Sequence, residues 1–249
     1  MFKKLTSNLV FALFAISMCG QTIVSTNPEN RKVILEEFTG IHCVFCPDGH
    51  AIAQAIQDGN AGEVFLVNIH VGSFAVPSGN EPDFRTPWGS AIANQSGLVG
   101  YPAGTVNRHN FPGFEQGAPG TTAMSRNVWA NATNQILAEN SYVQVGVVAE
   151  IDVQNREITV HVQGYYTRDS PQGTNLMTVA LLQNNTLGPQ TGGGMGNNYV
   201  HMHRLVELLT GQWGISIPTT TTSTFVDETF VYSIPADYNG VPVVLQDME

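Results

Sequence analysis

The sequence has few cysteines, few basic residues and no long apolar run. Only 3 of its 249 residues are cysteine, which excludes a mini-protein held together by disulfides. Its 10 lysines and arginines face 20 aspartates and glutamates and form no basic run, so nucleic acid and anionic membrane surfaces are not expected as partners. No apolar stretch is long enough to cross a bilayer. With 42% hydrophobic residues, the chain has the composition of a globular protein of one large or two small domains.

The first twenty residues have the features of a secretory signal peptide. Lys3 and Lys4 precede an apolar run over residues 9–18, and small residues follow it. We therefore expect residues 1–20 to be a signal peptide that directs export. Because this segment carries two lysines and no acid, the mature chain would keep 8 basic residues against 20 acidic ones.

Cys19 leaves two alternatives for this segment. Residues 16–19 resemble the cleavage box of bacterial lipoproteins, although Met18 is larger than the residue usual before the lipidated cysteine. Either Cys19 is lipidated and anchors the protein to a membrane, or the chain is cleaved near Gly20 and Cys19 is lost with the signal. In both cases the later cysteine pair keeps the only free thiols.

That pair, Cys43 and Cys46, lies between a strand-like and a helix-like segment. Residues 33–38 are apolar and partly β-branched, and residues 51–56 have the alanine content and spacing of a buried helix. At such a turn, unpaired backbone N–H groups and the helix dipole favour a thiolate. We expect Cys43 to be the nucleophile and Cys46, on the same helical face, to close a disulfide with it as the resolving thiol.

Three roles are open to a Cys-x-x-Cys pair in an exported protein: redox exchange, a structural disulfide, or a metal site. A zinc site would recruit His50, which shares a helical face with both cysteines, and His42. A disulfide-forming compartment and a single Cys-x-x-Cys argue against it. Redox exchange is therefore favoured, no metal or other cofactor is expected, and His50 is interpreted as a polar residue of the first helical turns.

Further elements follow from the local pattern. The Cys-x-x-Cys helix is predicted to end near residues 58–60, and the apolar run 64–70 predicts a strand buried on both faces. Residues 72–86 predict a loop, and the later helices are expected at 88–95 and 121–140. Beyond residue 140, alternation with a turn at 154–156 predicts antiparallel strands, with more strands at 176–182, 200–208 and 224–233.

The order of elements resembles the thioredoxin fold: a strand, the Cys-x-x-Cys helix, a buried strand and then the Gly-Tyr-Pro at residues 100–102. The resemblance implies that Pro102 is a cis proline facing the cysteine pair, and that Tyr101, Pro102 and His42 contact an extended substrate. It also implies that Glu37, six residues before Cys43, is the buried acid that accepts a proton from the resolving thiol. Alternation along the strand does not by itself say whether Glu36 or Glu37 is enclosed.

A narrower resemblance rests on three motifs. Glu-Glu-Phe-Thr-Gly precedes the Cys-x-x-Cys-Pro-x-Gly-His, Gly-Tyr-Pro-x-Gly-x-Val-Asn-Arg follows, and His-x-His-Arg occurs at residues 201–204. Together they resemble the outer-membrane-protein-28-related family. That resemblance implies an exported protein of the Gram-negative periplasm or outer membrane with a thioredoxin-like N-terminal part and a β-rich C-terminal part. The long stretch before Pro102 departs from a minimal thioredoxin and predicts an insertion, and no clear fourth strand follows Arg108.

Two further motifs have plainer interpretations. His201 and His203 alternate, so on one strand they would share a face, as a metal site or, more simply, as a sheet-surface pair. The glycine-rich residues 192–196 lack the lysine of a phosphate loop and predict a flexible connection.

The sequence therefore predicts a signal peptide (1–20), a tether (21–31), an α/β thioredoxin-like domain (32–140) and an all-β, antiparallel, immunoglobulin-like sandwich (141–249). One predicted function is thiol–disulfide exchange with thiols or disulfides of envelope proteins or with extended peptides. The other is a non-catalytic envelope protein with a structural disulfide, whose β-sandwich binds a partner, a peptide or a glycan. Reduction potential would separate the two functions.

Overall fold

The computed structural model describes residues 22–249, so the predicted signal peptide and Cys19 lie outside the described residues. The described chain is a mixed α/β protein, rich in strands, with few helices and mostly small sheets. Its α-helices are α1 (Cys46–Gly59), α2 (Gly89–Ser96) and α3 (Trp129–Leu137). The strands before residue 140 are β1 (Val33–Thr39), β2 (Val64–His70), β3 (Ala103–Val106) and β4 (Met124–Ser125).

The strands after residue 140 are short apart from three. They are β5 (Val143–Asp152), β6 (Glu157–Tyr166), β7 (Asn175–Met177), β8 (Ala180–Gln183), β9 (Thr186–Gln190), β10 (Gly196–His201), β11 (Arg204–Leu208), β12 (Ile215–Ile217), β13 (Phe225–Ser233), β14 (Asp237–Tyr238) and β15 (Val241–Pro242). Within the described residues, no helix is long and apolar enough to span a membrane.

A six-stranded sheet with the order β4-β3-β1-β2-β11-β8 organises the molecule. β1 and β2 are parallel, β3 is antiparallel to β1, and β4 is antiparallel to β3. β11 then continues the sheet parallel to β2, and β8 pairs antiparallel with β11. Strands from both sides of residue 140 therefore share one sheet.

Helices cover both faces of β1, which explains its nearly continuous burial. Val33 and Leu35 pack in one core cluster with residues of α1 and α3, whereas Phe38 packs in another with Ile92 of α2. Successive side chains of a strand point to opposite faces. Glu37 therefore shares the α1 face with Val33 and Leu35, which resolves the alternative that the sequence left open.

The helix predicted over residues 121–140 is wrong in its first half. Met124 lies in β4 and pairs with Gly104, and α3 begins only at Trp129. Trp129 is fully buried, and its indole N–H donates to the Met124 carbonyl over 3.1 Å. The fourth strand that the sequence did not reveal is thus two residues long, fixed by this tertiary contact and by its pairing with β3.

In the second half, the predicted hairpin is present as β5 and β6, with β13 on its other edge. Two predicted strands are broken, however. Residues 176–182 divide between β7 and β8, which lie in different sheets, and residues 200–208 break at His203, whose φ is 50°. The remaining pairs are β9–β10, β7–β12 and β14–β15. The immunoglobulin-like sandwich stays a prediction.

The segment predicted as a tether packs against the second half. Val24 is buried, and the Ile23 N–H donates to the Gln163 side chain over 2.8 Å. The Ile23 carbonyl lies so close to Gly146 that a Cβ there would be 2.6 Å from it. The chain therefore touches β5 and β6 before it enters β1.

Candidate functional site

The predicted disulfide between Cys43 and Cys46 is present at the start of α1. Cys46 is the first residue of the helix, and Cys43 lies in the preceding turn, where its N–H donates to the Gly40 carbonyl over 3.0 Å. The residues are only 3% and 0% exposed. In its oxidised form, the pair is therefore enclosed by protein.

Glu37 lies under the first turn of α1 and is 1% exposed. Neither of its carboxylate oxygens has a hydrogen-bond partner among the described residues. Burial raises the pKa of Glu37 well above its ordinary value, and the positive charge of Arg126 lowers it to a smaller extent. Glu36, on the opposite face, is instead held by Arg108 in two bonds of 2.5 and 2.7 Å. Only Glu37 is thus a buried acid without a partner.

Gly49 lets Glu37 and Pro102 approach the helix closely. A Cβ at Gly49 would lie 2.6 Å from Glu37 Oε1 and 2.9 Å from the Cβ of Pro102. Gly49 is one helical turn after Cys46, so acid, proline and resolving cysteine converge on the same stretch of α1. The Tyr101–Pro102 bond is cis, as predicted. The sequence showed Gly49 in a motif but gave no signal of this approach.

His50 reaches the same buried acid. Its Nε2 lies 3.8 Å from Glu37 Oε1 and 2.9 Å from Thr39 Oγ1, and its Nδ1 lies 2.6 Å from the Tyr199 hydroxyl. Burial lowers the pKa of His50 to about 4, so the imidazole is neutral near pH 7. With the ring hydrogen on Nε2, Tyr199 donates to Nδ1 and Nε2 donates to Thr39. His50 therefore lies next to Glu37 in the buried site, although its hydrogen bonds go to Thr39 and Tyr199.

The half-buried Tyr199 ring leads to a row of buried rings behind this group. The His201 ring lies 5.0 Å from Tyr199, 5.2 Å from His70 and 4.8 Å from Phe84. Burial lowers the pKa of His201 to about 3 and that of His70 well below its ordinary value. Burial also raises the pKa of Tyr199 to about 12. The row is uncharged at neutral pH.

The interpretation of His201 and His203 as a sheet-surface pair is wrong. They are 2% and 8% exposed, and β10 ends at His201, before the left-handed bend at His203. His201 donates from Nε2 to the Pro189 carbonyl over 3.2 Å, while His203 Nδ1 lies 2.8 Å from Glu249. In the described part of the chain, no three His, Cys, Asp or Glu side chains are grouped to hold a metal ion.

The glycine-rich residues 192–196 are not a free connection, contrary to the sequence interpretation. They lead from β9 into β10, and Gly192 and Gly193 pack on the Cys-x-x-Cys turn. A Cβ at Gly192 would lie 2.1 Å from the Val44 carbonyl oxygen, and one at Gly193 would lie 3.0 Å from Pro47. The Gln190 side chain donates to the Cys43 carbonyl over 2.9 Å. Contacts from far along the chain thus enclose the disulfide.

Comparison with known proteins now identifies the family. The model of the Omp28 outer membrane protein family matches residues 89–245, which is more than half of the chain. The chain belongs to the Omp28 family. It is therefore an exported protein of the Gram-negative envelope, as predicted. The match includes the β9–β10 hairpin and His201, but it begins after the cysteine pair.

Two solved structures are similar in fold to this Omp28-family chain to different degrees. HBP35 of Porphyromonas gingivalis is 20% identical, with a TM-score of 0.65, over 88% of this chain and 68% of that one. This likeness shows a shared fold alone. A protein of Agrobacterium tumefaciens is 12% identical over 89% of this chain and 94% of that one, and its TM-score of 0.48 is too low to carry an argument. No curated protein matches the chain.

The other predicted substrate contacts of this Omp28-family protein meet at Phe74. The His42 N–H donates to the Phe74 carbonyl over 2.9 Å, and the Tyr101 ring packs edge-on against the Phe74 ring at 5.4 Å. The His42 side chain pairs with Glu81 over 3.0 Å. His42 and Tyr101 are thus brought together by the 72–86 loop, whereas Pro102 lies by Glu37.

A cavity of about 220 Å³ opens beside Glu37. Its lining includes His50, Tyr199, Asn68 and His203. The Asn68 Oδ1, like both oxygens of Glu37, is buried without a partner in the described residues. The cavity has room for several water molecules, which can satisfy these acceptors.

Proposed function

We propose that this protein exchanges thiols and disulfides in the envelope through Cys43 and Cys46, and that residues 32–140 form a thioredoxin-like domain. The order β4-β3-β1-β2 supports the domain assignment, because of the two strands that pair with β1 only β2 is parallel to it, and the Cys-x-x-Cys helix joins β1 to β2. In this proposal, β11 and β8 are additions to the open edge of that domain. The insertion of residues 72–86 covers one side of the cysteine turn.

The observation that carries the proposal is the buried, unpartnered carboxyl of Glu37. An ionised carboxylate is costly to bury without a partner, so a purely structural disulfide gives no reason to place one there. A raised pKa makes the same group a suitable proton acceptor for a thiol near neutral pH. Gly49 keeps it within one helical turn of Cys46.

The proposed reaction passes through one mixed disulfide between Cys43 and the substrate. The Cys43 thiolate attacks a substrate disulfide, forms a mixed disulfide, and expels one substrate thiolate. Glu37 takes the proton from the Cys46 thiol, and the Cys46 thiolate attacks Cys43. The second substrate thiolate leaves, and the Cys43–Cys46 disulfide remains. Two electrons thereby pass from the pair to the substrate, and the same bonds exchange in reverse when the substrate is a dithiol.

Enclosure of the disulfide favours the second candidate function, a structural disulfide in a protein whose C-terminal part binds an envelope partner, a peptide or a glycan. Cys43 and Cys46 are both buried, and the Omp28 match does not include them. An exchange-active pair is expected to have a reduction potential well above roughly −300 mV, and a structural one below it.

Two measurements test the proposal. Equilibration with glutathione buffers gives the potential, and insulin reduction gives the activity, for the wild type and for Cys43→Ser. We expect a potential above the structural range and an activity lost in the variant. A low potential with no wild-type activity would favour the structural disulfide. Alkylation of the reduced protein should label Cys43 first, and preferential labelling of Cys46 would reverse the two roles.

Membrane anchoring through Cys19 is a separate proposal. A lipid there would hold the protein at a membrane surface, with the site on the described part of the chain. Mass spectrometry of the mature N-terminus distinguishes a lipidated Cys19 from cleavage near Gly20.

A further inference from the structure

The hairpin of β9 and β10 is a separate projection from the six-stranded sheet. Its strands pair only with each other, while the flanking strands β8 and β11 lie in the large sheet. A residue with left-handed φ stands at each junction, Asn185 at 52° and His203 at 50°. At the base, Gly188 and His201 pack against Phe84. The base is thus anchored and the tip extends away from it.

The tip, residues 190–199, is fastened to the cysteine turn by polar contacts. The Gln190 side chain donates to the Cys43 carbonyl over 2.9 Å and to the Gly40 carbonyl over 3.2 Å. The Thr191 N–H donates to the Ile41 carbonyl over 2.7 Å. On the returning strand, the Tyr199 hydroxyl meets His50 at 2.6 Å. When such hydrogen bonds are replaced by hydrogen bonds to water, the net change in free energy is small. Separating an apolar interface costs more, because apolar surface becomes exposed to water. The tip can therefore separate while the base stays packed.

Thiol–disulfide exchange requires an attacking thiolate to reach a sulfur atom. With Cys43 at 3% and Cys46 at 0% exposure, neither residue is open to another protein while the tip is in place. The tip contacts the turn at Val44, next to Cys43, and at Pro47, next to Cys46, and covers the turn directly. The access of an external thiolate to the disulfide therefore depends on the position of the tip.

We propose that residues 190–199 form a lid that is closed over the Cys43–Cys46 disulfide and must lift before a thiol can exchange with it. The proposal rests on the proposed function, of which it is the regulation. A partner that binds the lid tip, or competes for the Cys43 and Gly40 carbonyls, would switch the site on. In the closed state the pair is protected from small envelope thiols.

Two glycines of the lid provide a matched test. Gly192 and Gly194 have similar left-handed φ values of 84° and 75°, so alanine strains the backbone to a similar degree at each. At Gly192 the added Cβ would meet the Val44 carbonyl oxygen at 2.1 Å, whereas at Gly194 no atom of the described residues lies within 4 Å. Gly192→Ala should therefore push the lid off the turn, and Gly194→Ala should not.

The measurement is the second-order rate at which dithiothreitol reduces the disulfide, followed by quenched alkylation and mass spectrometry. We expect Gly192→Ala to react at least tenfold faster than the wild type, and Gly194→Ala to react at the wild-type rate. Equal rates for Gly192→Ala and the wild type would overturn the lid. If Gly192→Ala does not fold, Gln190→Ala, which removes the bonds to Cys43 and Gly40 without straining the backbone, must show the acceleration or the proposal fails.

This rate does not depend on turnover, so the two proposals fail separately. Faster reduction in Gly192→Ala without any insulin reduction would leave the lid standing and remove the exchange function. Insulin reduction by the wild type together with an unchanged dithiothreitol rate in Gly192→Ala would support the exchange function and rule out the lid.

Discussion

Glu36 and Glu37 are neighbours in sequence and opposites in environment. Glu36 is held in a bidentate pair by Arg108, and Glu37 is buried without a partner. The same substitution at the two positions should therefore have opposite effects on stability. The contrast distinguishes Glu36, whose carboxylate stabilises the fold through Arg108, from Glu37, whose carboxyl is proposed to act in the exchange reaction.

We expect Glu37→Gln to raise stability at neutral pH while it slows exchange. A folded pKa above the ordinary 4.5 means that the contribution of Glu37 is fully present below pH 4.5 and is lost as the pH rises through its folded pKa. The advantage of the amide should therefore grow from pH 4.5 upwards. Urea unfolding at several pH values, together with insulin reduction, measures both effects.

Glu36→Gln is the matched control. It breaks a charge-assisted pair and leaves Arg108 without its carboxylate, so we expect a loss of about 1–3 kcal/mol in the free energy of unfolding and no change in the exchange step. If Glu37→Gln were as destabilising as Glu36→Gln, or fully active, the assigned role of Glu37 would be wrong.

His50 should make the protein less stable in acid. Its folded pKa of about 4 lies below the ordinary 6.5, so its contribution is present above pH 6.5 and is lost as the pH falls towards 4. The full loss is about 3 kcal/mol for this one group. His201 and His70 act in the same direction, and Glu37 in the opposite one.

Replacement by a residue that does not titrate isolates this effect. In His50→Gln, the fall in unfolding free energy between pH 6.5 and 4 should be smaller than in the wild type. Urea unfolding at half-unit steps measures it, and an unchanged slope would show that His50 is not buried in its neutral form.

At the scale of elements, α1 is the helix on which the site depends, and Gly49 is its critical position. Alanine usually stabilises a helix relative to glycine by up to about 1 kcal/mol. At Gly49, however, the new methyl group would overlap Glu37 Oε1 and Pro102. We expect Gly49→Ala to destabilise the protein by about 1–3 kcal/mol through overpacking.

Gly59, the last residue of α1, is the control on the same helix. No atom in residues 22–249 lies within 4 Å of a Cβ there, so Gly59→Ala should leave stability unchanged or raise it by up to about 1 kcal/mol. Urea denaturation of both variants measures the difference. Equal effects at Gly49 and Gly59 would mean that the close approach of Glu37 and Pro102 is not a packing constraint.

At the scale of the whole molecule, the predicted boundary at residue 140 is crossed by the main sheet. Asn68 of β2 donates from its backbone to the His203 carbonyl over 2.7 Å, and the Trp88 indole donates to Glu207 over 2.7 Å. Leu182 and Leu205 pack in the same core cluster as residues of β1 and β2. The two parts therefore share hydrogen bonds and apolar core.

We expect the full chain to unfold in one transition. In a Trp88→Phe/Trp213→Phe variant, fluorescence reports on Trp129 in the first part, and far-UV circular dichroism reports largely on the strands of the second. The urea midpoints of the two signals should coincide. Two separated midpoints would instead support the independent domains that the sequence predicts.

The sequence alone determined the elements whose pattern is local. Spacing, alternation and stop signals within a few residues predict the apolar runs of β1 and β2, the strand-to-helix cysteine turn, the end of α1 and the β5–β6 hairpin. The disulfide follows equally from a spacing of three. The Omp28 resemblance rested on short motifs that can be identified in the sequence without the three-dimensional structure.

Only the tertiary structure decided what surrounds those elements. Which of Glu36 and Glu37 is enclosed depends on which helices cover each face of β1, and alternation cannot supply that. The enclosure of the disulfide depends on Gln190 and Gly192, about 150 residues further along the chain. Burial of His201 and His203 required a bend between two strands that appear as one in sequence. Each of these depends on contacts between distant segments, whose free energy is absent from any local pattern.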